Sequence, residues 1–82
     1  MADKELVMES LRNEIGRVLQ TLNDRERKVI QAFFGIGEPE MTLDGIGEKY
    51  GLTRERVRQI KEKAIRRLRH STSNKMLKTY LG

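Results

Sequence analysis

The residues best suited to chemistry in this sequence lie in one short basic segment, residues 54–70. Eight of them are Lys or Arg and two are Glu, so the segment has a formal charge of +6, against +5 for the whole chain. Positive charge concentrated in this way is typical of a polyanion binder. A solvated Lys/Arg-rich helix is the alternative, but such helices usually balance their two signs of charge.

The basic segment also has helical periodicity over residues 54–69. At about 100° per residue, one face carries Val57, Ile60, Ala64 and Leu68, and the opposite face is polar. Arginine can pair with guanine, glutamine with adenine, and glutamate can accept from cytosine. We therefore predict that this helix enters the major groove of DNA and that bases are read by Arg54, Glu55, Arg58 and Gln59.

Glu55 supports base reading in particular, because a carboxylate facing phosphates would repel them. The alternative is a pair within the helix, Glu55 with Arg58 or with Gln59, which would contribute only a few tenths of a kcal/mol. The remaining polar and basic positions are predicted to meet phosphates or a protein partner: Thr53, Arg56, Lys63, Arg66, Arg67 and Arg69.

A second helix must hold the basic one, and the preceding residues predict it. Thr42 can cap a short helix that ends near residue 50, Gly51 supplies a sharp turn, and Thr53 caps the basic helix. Together, residues 42–70 form a predicted helix-turn-helix. Gly45 and Gly47 each cost the short helix about 1 kcal/mol relative to alanine, which suggests close approach of another helix.

Two helices are predicted before this motif, over residues 4–20 and 23–35, and residues 71–82 form a tail that ends in a helical turn or frays. Asn23 and Glu26 fit a capping box. The aliphatic stripe of the first helix comprises Leu6, Leu11, Ile15, Val18, Leu19 and Leu22. The predicted fold is all-α: one domain over residues 1–82, a small helical bundle with a helix-turn-helix and no wing.

Several function classes are disfavoured by composition. The chain has one His, no Cys, and neither a paired-carboxylate motif nor a phosphate-cradling loop, so we expect no enzyme, no metal and no cofactor. No apolar run reaches membrane-spanning length, and residues 1–5 do not resemble a signal peptide. The expected location is the cytoplasm.

The run Leu52-Thr53-Arg54-Glu55-Arg56-Val57-Arg58-Gln59-Ile60, followed by residues 64–70, resembles region 4 of the bacterial sigma-70 family of RNA polymerase sigma factors. Residues 22–36 resemble the first half of that region, and Thr42-Leu43 with Ile46-Gly47 resembles its helix-turn-helix entry. The resemblance covers about residues 14–81 and implies a fragment of a longer, primary sigma factor.

The resemblance implies a bacterial nucleoid protein that binds the minus-thirty-five promoter element and docks on core RNA polymerase through the β flap. Its apolar cleft for the flap would draw on the first two helices. By the same analogy, bases are read by Arg54, Glu55 and Gln59, phosphates are held by Arg25 and Thr42, and transcription activators contact the basic surface of Lys63, Arg66, Arg67 and Arg69.

Two positions and one loop depart from the family pattern. Phe33 stands where the family often has an arginine that contacts phosphate, and Phe cannot do so. Gly45 stands where an acidic residue often completes a capping box with the Thr at 42. The loop over residues 37–41 also differs in composition.

Other interpretations remain open at this level. A free-standing repressor with the same motif would dimerise to span two half-sites, and the absence of a heptad seam favours a monomer. A protein-interaction module, such as a target of an anti-sigma factor, is a second alternative. A basic amphipathic membrane helix is the weakest, because residues 54–70 contain no Trp or Phe.

Overall fold

A computed structural model describes residues 2–82, which form five α-helices and no strand. The all-α fold predicted from the sequence is confirmed. The tail, whose order the sequence left open, forms a capped fifth helix with Leu77 and Leu81 buried. The helices are α1 (Ala2–Leu19), α2 (Asp24–Phe34), α3 (Leu43–Tyr50), α4 (Arg54–His70) and α5 (Lys75–Leu81).

The capping signals read from the sequence fix where α2 begins. The Asn23 side chain accepts a hydrogen bond from the Glu26 amide at 2.8 Å, and the Glu26 carboxylate accepts one from the Asn23 amide at 3.1 Å. This reciprocal capping box satisfies two amides that the helix itself cannot pair. At the other end, Gly35 has a left-handed backbone with φ 67°, which ends the helix.

Buried apolar side chains form two clusters, and α4 contributes to both. The turn cluster lies between α2, α3 and the first half of α4, and consists of Val29, Ala32, Ile46, Val57 and Ile60. The bundle cluster joins α1, α2, α5 and the second half of α4, and consists of Val18, Leu19, Leu22, Ile30, Ala64, Leu68, Leu77 and Leu81. All four apolar residues predicted on one face of α4 are therefore buried.

Helix α1 packs through its second half. Leu11 and Ile15 lie against the bundle cluster, but Leu6 is 62% exposed, so its assignment to the apolar stripe was wrong. The spacing of five residues between Leu6 and Leu11 turns Leu6 away from that face.

Polar contacts then fix the end of α1 against the junction of α4 and α5. Arg17 donates to the Ser71 carbonyl at 2.8 Å, and Thr72 donates to the Glu14 carboxylate at 2.5 Å. Glu14 and Arg17 also pair with each other at 2.7 Å. Hydrogen bonds from Arg17 and Thr72 lower the pKa of Glu14 to about 2, because they stabilise its ionised form.

Candidate nucleic-acid interface

The angle between α3 and α4 is set by the turn at residues 51–53. Gly51 has a left-handed backbone with φ 69°, and the Leu52 amide donates to the Gly47 carbonyl at 2.8 Å. The Thr53 hydroxyl then accepts from the Arg56 amide at 3.1 Å and caps α4. These contacts build the helix-turn-helix arrangement predicted for residues 42–70.

Gly47 allows the turn to fold this closely. A Cβ atom on Gly47 would lie 2.5 Å from the Leu52 carbonyl oxygen, which is backbone and cannot move aside. The close approach predicted here is therefore made by the turn itself and not by another helix. A Cβ atom on Gly45 would contact only the Thr42 hydroxyl oxygen at 3.3 Å, which caps the same helix, and the terminal carbon of Met41 at 3.5 Å. The prediction that another helix approaches Gly45 was therefore wrong.

The polar face of α4 presents the four predicted base-reading residues to solvent. The side chains of Arg54 and Glu55 are 69% and 60% exposed, and that of Arg58 is 41% exposed. Gln59 is also exposed. All four lie within the first two turns, the part of such a helix that reaches base edges.

The intrahelical pair considered from the sequence is present. Arg58 donates to Glu55 at 2.6 and 2.9 Å and lies 3.1 Å from Glu62. The hydrogen bond from Arg58 lowers the pKa of Glu55, and the two carboxylates raise the pKa of Arg58. Both residues are therefore fully charged near neutral pH. An exposed pair of this kind is weak enough to exchange for contacts with bases.

On one flank of this face, α2 and α4 bring three cations around Gln59. Arg25 from the start of α2 and Arg56 and Lys63 from α4 line a small concavity of about 100 Å³. Arg56 reaches the Gln59 side-chain oxygen at 3.5 Å. Arg25 and Lys63 are 38 positions apart in the sequence, yet the fold places both beside Gln59, a predicted base reader.

Two of the predicted surface arginines are occupied by contacts inside the molecule. Arg67 lies 3.5 Å from Glu26, whose side chain is 5% exposed, and so joins α4 to α2. Arg69 donates to the carbonyls of Lys78 at 2.7 Å and Gly82 at 3.0 Å, the end of α5. A guanidinium at the carbonyl end of a helix satisfies groups that the helix leaves unpaired.

The basic surface that remains lies in the second half of α4. Lys63, Arg66 and His70 share with Arg67 a shallow concavity of about 610 Å³, bordered by Thr21 and Ser71. Of the four residues predicted to contact activators, Lys63 and Arg66 are the two whose side chains form neither an ion pair nor a hydrogen bond with the residues that the structure describes.

On the opposite flank, the structure reveals a contact that the sequence analysis missed. The Lys61 ammonium lies 4.8 Å from the centroid of the Phe33 ring. Phe33 in turn lines a concavity of about 520 Å³ with Thr42 and Arg54. The sequence signal was the position of Lys61 four residues after buried Val57, at the margin of the apolar face, where a long side chain can lie along a neighbouring helix.

Residues 2–82, the described part of the chain, contain neither a metal-binding cluster nor a membrane-spanning helix. No cluster of His, Asp and Glu side chains there could hold a metal ion. No helix there is both long and apolar enough to cross a membrane.

Comparison with known families matches residues 18–70 to the family described as sigma-70, region 4. RNA polymerase sigma factor SigA1 of Synechococcus elongatus is 42% identical over 80 residues, which cover 96% of this chain and 20% of that protein. RNA polymerase sigma factor SigA of Listeria monocytogenes is 45% identical over 74 residues, or 89% of this chain and 20% of that protein. RNA polymerase sigma factor SigA of Microcystis aeruginosa is 42% identical over 80 residues, which cover 96% of this chain and 19% of that protein. The chain thus spans about a fifth of the length of these relatives.

Proposed function

The chain belongs to the sigma-70 family, region 4, and from that premise we propose that it is the promoter-recognition domain of a sigma factor. In this proposal it binds the minus-thirty-five element of double-stranded DNA and directs core RNA polymerase to it, as a non-enzymatic initiation factor of the bacterial nucleoid. The observation that carries the proposal is the two-faced construction of α4. Its apolar face is buried in both clusters, while its first two turns expose four side chains of base-reading type.

The proposed docking places α4 in the major groove with its N-terminal end toward the bases. A groove about 12 Å wide admits one helix, and α3 then braces across the sugar-phosphate backbone. Arg54 can bind a guanine, Gln59 an adenine, and Glu55 a cytosine amino group. The hydrogen bond from the Leu52 amide to the Gly47 carbonyl holds the turn between α3 and α4, so both helices dock together.

Backbone contacts in this docking come from the flank where Arg25, Arg56 and Lys63 converge. These cations hold the helix in register without reading sequence. Thr42 and Thr53, which cap α3 and α4, are exposed close to the DNA-facing ends of their helices and complete the proposed backbone contacts. Each phosphate neutralised should steepen the dependence of log affinity on log salt by about 0.9.

Docking on core RNA polymerase is proposed for the apolar surface where α2 meets α5. Met76 and Tyr80 are 51% and 44% exposed, and the Tyr80 ring lies 5.3 Å from that of Phe34. Exposed apolar side chains that adjoin one another are typical of protein interaction sites. The cleft for the β flap was predicted on the first two helices; this surface involves α2 but adds α5, whose helical state the sequence left open.

A further protein surface is proposed at Lys63, Arg66 and His70. Their common concavity is positively charged and lies beyond the base-reading turns of α4. An acidic segment of a transcription activator, or of an anti-sigma factor, is the partner whose chemistry fits it.

Titration at low salt against two duplexes tests DNA recognition. One duplex carries a TTGACA-like hexamer and the other a scrambled hexamer of equal length and composition. We expect tighter binding to the matched duplex. The control Lys75→Ala should leave both affinities unchanged, because Lys75 lies on α5, outside both flanks of the base-reading face of α4. Equal affinity for the two duplexes would contradict base reading and leave only electrostatic attraction.

A further inference from the structure

We propose that Lys61 and Phe33 form a second DNA-backbone contact, on the groove wall opposite to that met by Arg25, Arg56 and Lys63. In this arrangement the Phe33 ring holds the Lys61 ammonium at the flank where a phosphate passes. The inference rests on the proposed function, since it assumes that α4 lies in the major groove.

The first support is the angular position of Lys61 on α4. At about 100° per residue, Lys61 falls about 20° from Arg54 and about 160° from Lys63. The base-reading face, centred near Glu55, lies between these two sides. A helix in the major groove has one sugar-phosphate strand on each side, so Lys61 and Lys63 face different strands.

The second support is the concavity beside Lys61. Phe33, Thr42 and Arg54 line it, and the Lys61 ammonium lies 4.8 Å from the centre of the Phe33 ring. Thr42 caps the start of α3, the helix that braces on the backbone in the proposed docking. Three helices therefore contribute to one concave surface next to a cation, as α2 and α4 do around Gln59 on the other flank.

The third support is the kind of partner that holds Lys61. A ring attracts an ammonium through its quadrupole and leaves its charge intact, whereas a carboxylate would neutralise it. Within residues 2–82, the ion pairs of α4 involve Arg54, Arg58 and Arg67, and Lys61 belongs to none of them. Lys61 can thus offer its full positive charge to a phosphate.

Acidic groups near this flank oppose the contact and provide a check on it. Glu40 lines the same concavity, and the Asp44 carboxylate lies 3.9 Å from Arg54. If a phosphate lies there, Glu40→Gln should tighten binding to both duplexes, because it removes a repulsive charge. Unchanged or weaker binding would count against a phosphate at this place.

The salt dependence of binding tests the role of Lys61. Lys61→Gln should lower the log–log salt slope by about 0.9 and weaken binding to matched and scrambled duplexes by the same factor. Lys75→Gln is the matched control, because it removes the same charge at an exposed position of α5, and it should leave the slope unchanged. Equal slopes for Lys61→Gln and Lys75→Gln would overturn the proposal. The wild-type preference for the matched duplex, measured in the same titrations, tests the proposed function separately.

A double-mutant cycle tests the role of the Phe33 ring. Phe33→Leu keeps an apolar side chain but removes the ring that positions the Lys61 ammonium. It should weaken binding by up to about fivefold, the limit set by a cation–π contact of about 1 kcal/mol. In the Lys61→Gln background the same substitution should have no effect. An effect that persists in that background would show that the ring does not act through Lys61. Urea unfolding of each variant verifies that it is folded at the temperature of the titration.

Methylphosphonate substitution locates the contact on one strand. Replacing single phosphates by neutral methylphosphonates should reveal one position that weakens the wild type but not Lys61→Gln. A position of the same kind for Lys63→Gln should lie on the other strand. Finding both positions on one strand, or none for Lys61→Gln, would overturn the assignment to opposite walls.

Discussion

Each half of α4 carries four Lys or Arg residues and one Glu, over residues 54–61 and 62–70. In the first half, Arg58 pairs with carboxylates of α4 itself and stays at the solvent-exposed surface. In the second half, Arg67 reaches Glu26 on α2 and Arg69 reaches the end of α5. In the proposed function, the first half uses its charge for recognition, whereas two of the four cations in the second half hold neighbouring helices.

A similar contrast separates two Glu–Arg pairs with the same spacing. Glu55 and Arg58 pair along α4 and contact only that helix. Glu14 and Arg17 pair along α1 but also contact Thr72 and the Ser71 carbonyl, which join α4 to α5. The first pair can rearrange around DNA, whereas the second fixes α1 at the end of α4.

The largest effect is expected from removing an apolar anchor in either half. Ile60→Ala in the turn cluster and Leu68→Ala in the bundle cluster should each lower the free energy of unfolding by about 2–5 kcal/mol, because both leave cavities. Urea denaturation measures the change, and Leu6→Ala, at an exposed position, should stay within about 0.5 kcal/mol of the wild type. If either substitution left the free energy of unfolding unchanged, buried apolar side chains would not anchor both halves of α4.

A smaller effect separates two arginines of the second half. Arg69→Ala should destabilise the chain by about 1–2 kcal/mol, since it removes hydrogen bonds to two carbonyls at the end of α5. Arg66→Ala should change stability by less than about 0.5 kcal/mol. Urea denaturation and amide exchange in α5 are the measurements. Equal stability of the two variants would remove the structural role assigned to Arg69.

The smallest effect is a pH dependence that distinguishes the two Glu–Arg pairs. The pKa of Glu14 is about 2 in the folded chain, below its ordinary value of 4.5, because Arg17 and Thr72 bond to the carboxylate. Its contribution to stability is therefore complete above about pH 4.5 and is lost as the pH falls toward 2. The difference in unfolding free energy between wild type and Glu14→Gln should shrink over this range.

Glu55→Gln provides the control for this pH series. The pKa of Glu55 is also lowered by Arg58, but the contacts of Glu55 stay on the exposed face of one helix. We expect a smaller change with pH than for Glu14→Gln. A difference between wild type and Glu14→Gln that is constant from about pH 5 to 2 would contradict the contact between α1 and the end of α4.

Local rules predicted much of this structure, because the signals are short in sequence. The capping box at Asn23 and Glu26, the left-handed Gly51 and the buried face of α4 each depend on neighbours within four residues. The partners of Arg67 and Arg69 could not be predicted, since they depend on how α2 and α5 pack on α4. The Lys61–Phe33 contact was missed for the same reason, as it joins residues 28 positions apart.

The central claim is that the first half of α4 reads bases while the second half contributes attraction without sequence preference. Titration of Gln59→Ala and Arg66→Ala against matched and scrambled duplexes at low salt tests it most directly. We predict that Gln59→Ala lowers the binding free energy by about 1–3 kcal/mol for the matched duplex alone. Arg66→Ala should weaken binding to both duplexes by the same factor. An equal loss on both duplexes for Gln59→Ala would contradict the account.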